Sequence, residues 1–379
     1  MKNPCISPPC VSGRLAQRHV PAGFTLVELL AVIMIIALLA GLLTPAVMRS
    51  LSSSRAAAVK AEIDLLDTAL MNYRNEYGSF PPSDMRGLWN NSANAVNTGH
   101  PAYKHLQRIF PRLNEPTSGG SASPYYWMAQ MSPAQALVFW LQGYFDDPQY
   151  PLTNRQPLSA SVPRAGTANA NRKKLFDFDE SRLYAASAYW PLTAPFSASN
   201  QVFATRSPTA TPFERDFPVY FPNQANTGLP YVYFSSSSYS TAPIAAVTSA
   251  IGPGSSPDCF YTAVSMSGNA TGIAPYFNSL NCTTNPTQQS WAQLHMNPDT
   301  FQLLAAGADG TYGSVAAGFP ADCALTPLTT PLQPFSYASQ QIGPFPSVRN
   351  SDGGSPGHED NIANFAPGRL KEAAAKLSQ

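Results

Sequence analysis

The sequence predicts an α+β fold, and three observations carry that reading. The first is an apolar run, Phe24–Leu43, whose only charged residue is Glu28. At ~1.5 Å rise per residue, a helix of that length crosses roughly 30 Å of hydrocarbon. The second is a single apolar stripe: Val59, Ile63, Leu66, Leu70, Tyr73 and Tyr77 recur in alternating steps of four and three, the period of an amphipathic helix. The third is a set of short runs rich in aromatic and β-branched residues and bounded by turn residues, the pattern of strands. These are Lys174–Phe178, Phe217–Phe221, Pro230–Ser236 and Thr300–Gly307. Together they predict a long N-terminal helix over 24–77, half membrane-spanning (24–43) and half amphipathic, with its stripe lying on a globular region that spans 78–379 and is loop-rich at about 88–300.

Taken in order, residues 1–23 are polar and Pro-rich, with Lys2, Arg14 and Arg18 and no acid. Bases before a span place this leader in the cytoplasm and the rest of the chain across the membrane. Pro45 then predicts a kink or loosening of the helix. The polar stretch Arg49–Arg55, a weak helix former, reads as a flexible segment. On the amphipathic part, Lys60, Glu62, Asp64, Arg74 and Glu76 fall off the stripe. Gly78 and the Phe80–Pro82 segment stop the helix. Tyr103–Leu113 starts as a helix before Pro111. Ser132 as N-cap and Pro133 at the first helical position open another, ended by Gly143. The tail from Gly368 reads as a short solvated helix with Glu372 and Lys376 one turn apart.

Composition narrows the function classes. Charged residues are only 12% of the chain and prolines number 37; this suits a loop-rich domain outside the cytoplasm better than a helical cytosolic enzyme. The formal net charge is +1, and no basic stripe with interleaved aromatics appears, so nucleic-acid binding has no electrostatic footprint. Catalytic patterns are missing: the histidines at 19, 100, 105, 295 and 358 have no HExxH or paired spacing, there is no GxSxG elbow, and Gly307, Gly310 and Gly313 do not form GxGxxG. The acids of Phe176–Leu183 read as a solvated loop. Without the leader three cysteines remain, Cys259, Cys282 and Cys323. A Cys259–Cys282 disulfide closes the shorter loop and is the preferred pair; three buried thiols is the alternative.

The start of the span is more specific than a generic membrane helix. Gly23 precedes Phe24, Thr25, Leu26, Val27 and Glu28; counted from Phe24, Glu28 is the fifth residue and Pro45 the twenty-second. This resembles the type IV prepilin class, shared by type IV pilins and type II secretion pseudopilins. The resemblance implies cleavage after Gly23 by a prepilin peptidase and methylation of the new amine at Phe24. An ordinary secretory signal cut after Ala46 is the rival, and proline beside that cut disfavours it. For Glu28 the resemblance implies an ion pair with the N-terminal amine of a neighbouring subunit; the plain alternative is a helix-end carboxylate held near the interface. It further implies a non-enzymatic structural subunit of a helical fibre, a pseudopilus or pilus. Its partners would be the inner-membrane assembly platform, a cytoplasmic ATPase and membrane lipid, with the C-terminal domain in the periplasm.

The helix ending in Tyr73–Gly78 looks like that of the major pseudopilins, and the segments Leu303–Gly313 and Gly357–Phe365 look like their C-terminal calcium-loop region. Acids cluster in these Gly-rich loops, about 50 residues apart, which suits a hard oxygen-ligated cation. Asp309, Asp352, Glu359, Asp360 and Asn361 are the candidates, with Asp309, Glu359 and Asp360 preferred as ligands of a structural Ca²⁺. The resemblance implies a pilin-like fold, the long helix packed on a small antiparallel sheet; the chain is far longer than a major pseudopilin, which makes the stretch at about 88–300 a large loop-rich insertion. That length raises a second expectation, a minor or tip subunit whose enlarged domain binds a secreted substrate or surface ligand. A membrane-anchored periplasmic enzyme or binding protein is a third.

Overall fold

The computed structural model describes residues 26–155, 172–189, 201–205, 213, 216–222, 228–239, 261–264, 270–273, 275, 296–307, 310, 312 and 361–370. The chain divides into two units, Met1–Leu51 and Ser52–Gln379. Helix α1, Leu26–Tyr77, runs continuously through Pro45 and through the stretch 49–55, where a flexible segment was expected. Alanines 56–58 follow that stretch and favour helix. Within the second unit, Arg369 donates to the carbonyl and hydroxyl of Ser52 and so holds this part of the helix from outside. Tertiary contacts here override the weak propensity of serine. At the far end Gly78 takes φ +80°, and its amide donates to the Arg74 carbonyl at 2.7 Å. Glycine adopts this left-handed turn without steric cost, which ends the helix.

In the first unit, the described apolar side chains of α1 face outward: Leu26 is 77% exposed and Leu42 71%. In the second unit, Val59, Ile63, Leu66, Leu70 and Tyr73 are all buried, as their spacing predicts. The first four meet Leu137, Val138, Tyr231, Tyr233, Phe301 and Leu303 in one cluster, and Tyr73 packs in a second with Leu106, Trp140 and Tyr144.

The remaining helices are α2 (Pro101–Ile109), α3 (Pro124–Met128) and α4 (Pro133–Leu141). Ser132 caps α4 as expected, accepting from the Gln135 amide while the Gln135 side chain accepts from the Ser132 amide. Every residue of α4 is buried, so this helix is a strut of the core. The strands are β1 (Trp89–Asn90), β2 (Ala95–Val96), β3 (Tyr144–Phe145), β4 (Arg172–Lys173), β5 (Leu183–Ala186), β6 (Phe203–Thr205), β7 (Val219–Tyr220), β8 (Val232–Ser235), β9 (Tyr261–Val264), β10 (Ala270–Ile273), β11 (Phe301–Ala305) and β12 (Ile362–Ala363). All pairings between these strands are antiparallel. The architecture is therefore an α+β mix of helices and small antiparallel sheets.

The principal sheet has the order β12-β11-β8, with Leu304 opposite both Val232 and Ala363. A second sheet has the order β6-β5-β7. Three expected strands are thus present as β7, β8 and β11. The fourth, Lys174–Phe178, is not a strand. The amides of Leu175 and Phe176 both donate to the carbonyl of Leu141 at the end of α4, so the donors a ladder would need are spent on a helix terminus. Pairing instead uses the preceding residues, Arg172 and Lys173, against β3. The stretch 88–300, expected to be loop-rich, supplies α2–α4 and the strand β8 to the core. The expected tail helix falls mostly on residues 371–379, outside the described ones.

Candidate functional site

The candidate site is helix α1 itself, whose two parts carry different chemistry. Glu28 lies in the first turn, where a carboxylate is favoured by the positive end of the helix dipole. It is exposed, among exposed Leu26, Val27, Leu29 and Leu30. From Leu26 to Thr44 the helix is apolar enough to cross a membrane. Thr44, at the end of that run, returns its hydroxyl to the Ala40 carbonyl at 2.7 Å, so its polar group is satisfied without water. Pro45 sits inside the helix. Gly23 and Phe24, the expected processing pair, lie outside the described residues.

The part of α1 in the second unit is fastened by polar groups as well as by its stripe. Glu62, placed off the stripe by its spacing, is half-buried and clamped. Arg182 donates to its Oε2 at 2.6 Å, Tyr231 to the same oxygen at 2.5 Å, and Tyr220 to Oε1 at 2.8 Å. Burial first, and then the Glu62 carboxylate, push the Tyr231 hydroxyl well above its ordinary pKa, which keeps it a neutral donor. Burial is the largest single influence on Arg182 and lowers its pKa, but the hydrogen bond and charge of Glu62, with Tyr220 and Tyr231, together outweigh it and the net shift is upward. Lys60 reaches the carbonyls of Ala363 and Asn364 at 3.1 and 3.3 Å, and the Asn364 amide donates to Asp67 at 2.9 Å. The C-terminal segment around β12 is thereby tied to α1 at two positions, Lys60 and Asp67.

Near the end of the helix, the Tyr73 hydroxyl lies 2.8 Å from His105 Nε2 and 2.6 Å from the Tyr144 hydroxyl. Ser79 Oγ lies 3.2 Å from His105 Nδ1. Burial first, and then the Arg108 cation, lower the His105 pKa to about 4. His105 is therefore neutral at ordinary pH and ties α2 to the Tyr73 hydroxyl of α1, which in turn bonds Tyr144 of β3.

For the expected cation, the structure brings the two carrier segments together. Ala305 pairs with Ile362, and Asn361 Nδ2 donates to the Tyr312 carbonyl at 3.3 Å. Asp309, Asp352, Glu359 and Asp360 lie outside the described residues, as do Cys259 and Cys282. Among the described residues no group of three or more His, Cys, Asp or Glu side chains is placed to hold a metal.

The decisive observation is at the start of the chain. Residues 19–44 match the family model of the prokaryotic N-terminal methylation motif. No curated protein and no solved structure matches the chain. The matched range contains Gly23, Phe24 and Glu28 and ends with the apolar part of α1 at Thr44. The motif is consistent with a type IV prepilin or pseudopilin. It implies processing by prepilin peptidase and assembly with other pilin subunits, and it points to a structural protein. The apolar helix fits the single-pass membrane anchor typical of the motif.

Sequence reasoning found the motif and the stripe and missed the polar fastening. Glu62 carries no local signal, because its partners are 120, 158 and 169 residues away. The usable hint was its position directly beside Ile63, at the margin of the buried face.

Proposed function

We propose that the chain is a pilin-like structural subunit, cleaved after Gly23, N-methylated at Phe24 and assembled into a type II secretion pseudopilus or a type IV pilus-like fibre. The observation that carries this reading is an apolar, exposed helix bearing one acid, Glu28, inside a matched methylation motif. A buried charge is expensive unless paired. A neighbouring subunit's amine would neutralise Glu28 once the helices leave lipid and pack together. The subunit waits in the inner membrane with its leader in the cytoplasm and its domain in the periplasm. An assembly platform and its ATPase then extract it. Mass spectrometry of the mature N-terminus tests the proposal: N-methyl-Phe24 is expected, and a start at Val47 or an uncut Met1 overturns it.

A minor or tip subunit is the second reading. It is favoured by the amount of core that the stretch 88–300 supplies, with all of α4 buried. Such a subunit presents a binding surface for a secreted substrate or surface ligand. Sheared filaments containing the protein distinguish assembly from the third reading, a permanently membrane-bound periplasmic enzyme or binding protein. Calcium at Asp309, Glu359 and Asp360 belongs to the same proposal; the described ends of the two segments that carry these acids, Ala305 and Ile362, pair with each other. Metal analysis of the purified chain should find about one ion, lost in Asp360→Ala; a metal-free, fully stable protein would count against the site.

A further inference from the structure

Neither 87–103 nor 116–145 contains an Asp, Glu, Lys or Arg, and the fold brings these two stretches together. The Val96 amide donates to the Thr117 carbonyl at 2.8 Å, and Ala95 bridges Ser118, so the segment before α3 lies along the β1–β2 hairpin. Gly120, at φ +61°, turns the chain there, and a Cβ on it would lie 3.5 Å from Asn94 Oδ1. Asn91, Ser92 and Asn94 are exposed at the hairpin tip, with Thr117, Ser118 and Ser121 exposed beside it. Two half-exposed rings, Tyr126 and Trp127, stand on α3. Both are held. Trp127 donates its indole N–H to the Ser121 carbonyl at 2.8 Å and stacks on buried Phe213, with centroids 6.5 Å apart. Tyr126 meets buried Trp89 edge to face at 5.6 Å. The two rings stand at 85° to each other with centroids 5.1 Å apart, so they make a corner and not one flat platform.

This combination fits an uncharged polyhydroxyl ligand. The apolar C–H face of a sugar ring packs on an aromatic ring, and its hydroxyls pair with amides and hydroxyls that both donate and accept. Rings already fixed by their neighbours lose little freedom on binding. A nucleic acid or a charged peptide finds no counter-charge on these two stretches. We infer that this corner binds a neutral glycan chain, with Tyr126 and Trp127 holding a sugar ring and the hairpin tip its hydroxyls. The inference rests on the tip-subunit reading above and names its ligand class. Rings at nearly a right angle suit a single soluble chain; a crystalline polysaccharide presents a flat sheet and needs coplanar rings.

The experiment immobilises the full chain in a polyoxyethylene detergent, which carries no sugar, and measures binding of three soluble probes. Glucomannan and dextran are neutral; polygalacturonate is anionic. Wild type should bind at least one neutral probe, prefer it to polygalacturonate, and hold it unchanged in about 0.5 M salt, since no charge is there to be screened. Trp127→Ala should lose about tenfold in affinity and Tyr126→Ala several-fold. Leu65→Ala, at an exposed apolar position on α1, should change nothing. If Trp127→Ala misfolds, the wild type still decides. Bound glycan should shield a tryptophan from acrylamide quenching, and that shielding should vanish in Trp127→Phe, which keeps a ring and most of the binding. Binding of neither neutral probe, stronger binding of polygalacturonate, loss of binding in salt, or a Trp127 that stays unshielded overturns the inference. A chain that assembles into filaments yet binds no glycan refutes only this inference; one that binds glycan yet never assembles refutes the subunit reading instead.

Discussion

The two parts of α1 solve opposite problems with the same backbone. Near the N-terminus the helix shows exposed apolar side chains and one acid, Glu28. Past Ser52 it hides one stripe, with Ile63 and Leu66 fully buried, and fixes its flanks with a clamped carboxylate and a lysine on two carbonyls. The first part leaves its apolar side chains exposed and the second buries them. Hydrophobicity is common to both; polar fastening is what separates them.

Substitutions can break this contrast. Glu62→Ala should cost most, about 3–5 kcal/mol of domain stability, because it leaves the half-buried Arg182 without its counter-charge; urea denaturation would read it. Glu28→Ala, also a lost carboxylate, should leave that denaturation midpoint unchanged and instead abolish filaments while cleavage proceeds. Normal fibres from that variant would refute the pairing role. Leu66→Ala should cost about 2–5 kcal/mol through a core cavity, whereas Ile35→Ala, on the exposed part, should leave domain unfolding unmoved.

The pH response sharpens the contrast further. His105 titrates near 6.5 when unfolded and at about 4 when folded, so the unfolded chain takes up the proton first. Stability should therefore be full above pH ~6.5, fall as pH drops towards ~4 and level off below, for a total of about 3 kcal/mol. His105→Phe should flatten that slope between the two values. The smallest effect expected is Ser132→Ala, which removes the α4 cap at a cost of about 1 kcal/mol.

What the sequence made legible was what depends on neighbours in the chain. The stripe from Val59 to Tyr73, the Ser132–Pro133 start of α4 and the glycine stop at Gly78 all have local causes, and all are present. Phe217–Phe221, Pro230–Ser236 and Thr300–Gly307 each contain a strand for the same reason. Lys174–Phe178 has equal strand character and fails because the Leu141 carbonyl takes its amides, a fact that no window of a few residues contains. The site divides in the same way. The processing motif is written in contiguous residues, while the clamp on Glu62 and the return of Arg369 to Ser52 exist only after folding.

That return also sets an order of events. The edge strand β12 and the side chain of Arg369 arrive some 300 residues after the helix turns that they hold. During synthesis the apolar segment emerges early and can enter the bilayer at once, as helices form quickly and locally. The domain's principal sheet cannot close until residue 370 has left the ribosome, because its edge and its ties to Lys60 and Ser52 are made last. Long-range closure of this kind is slow. An apolar segment that enters a bilayer would thus be anchored before the domain is folded, while the helix past Ser52 is still unbraced.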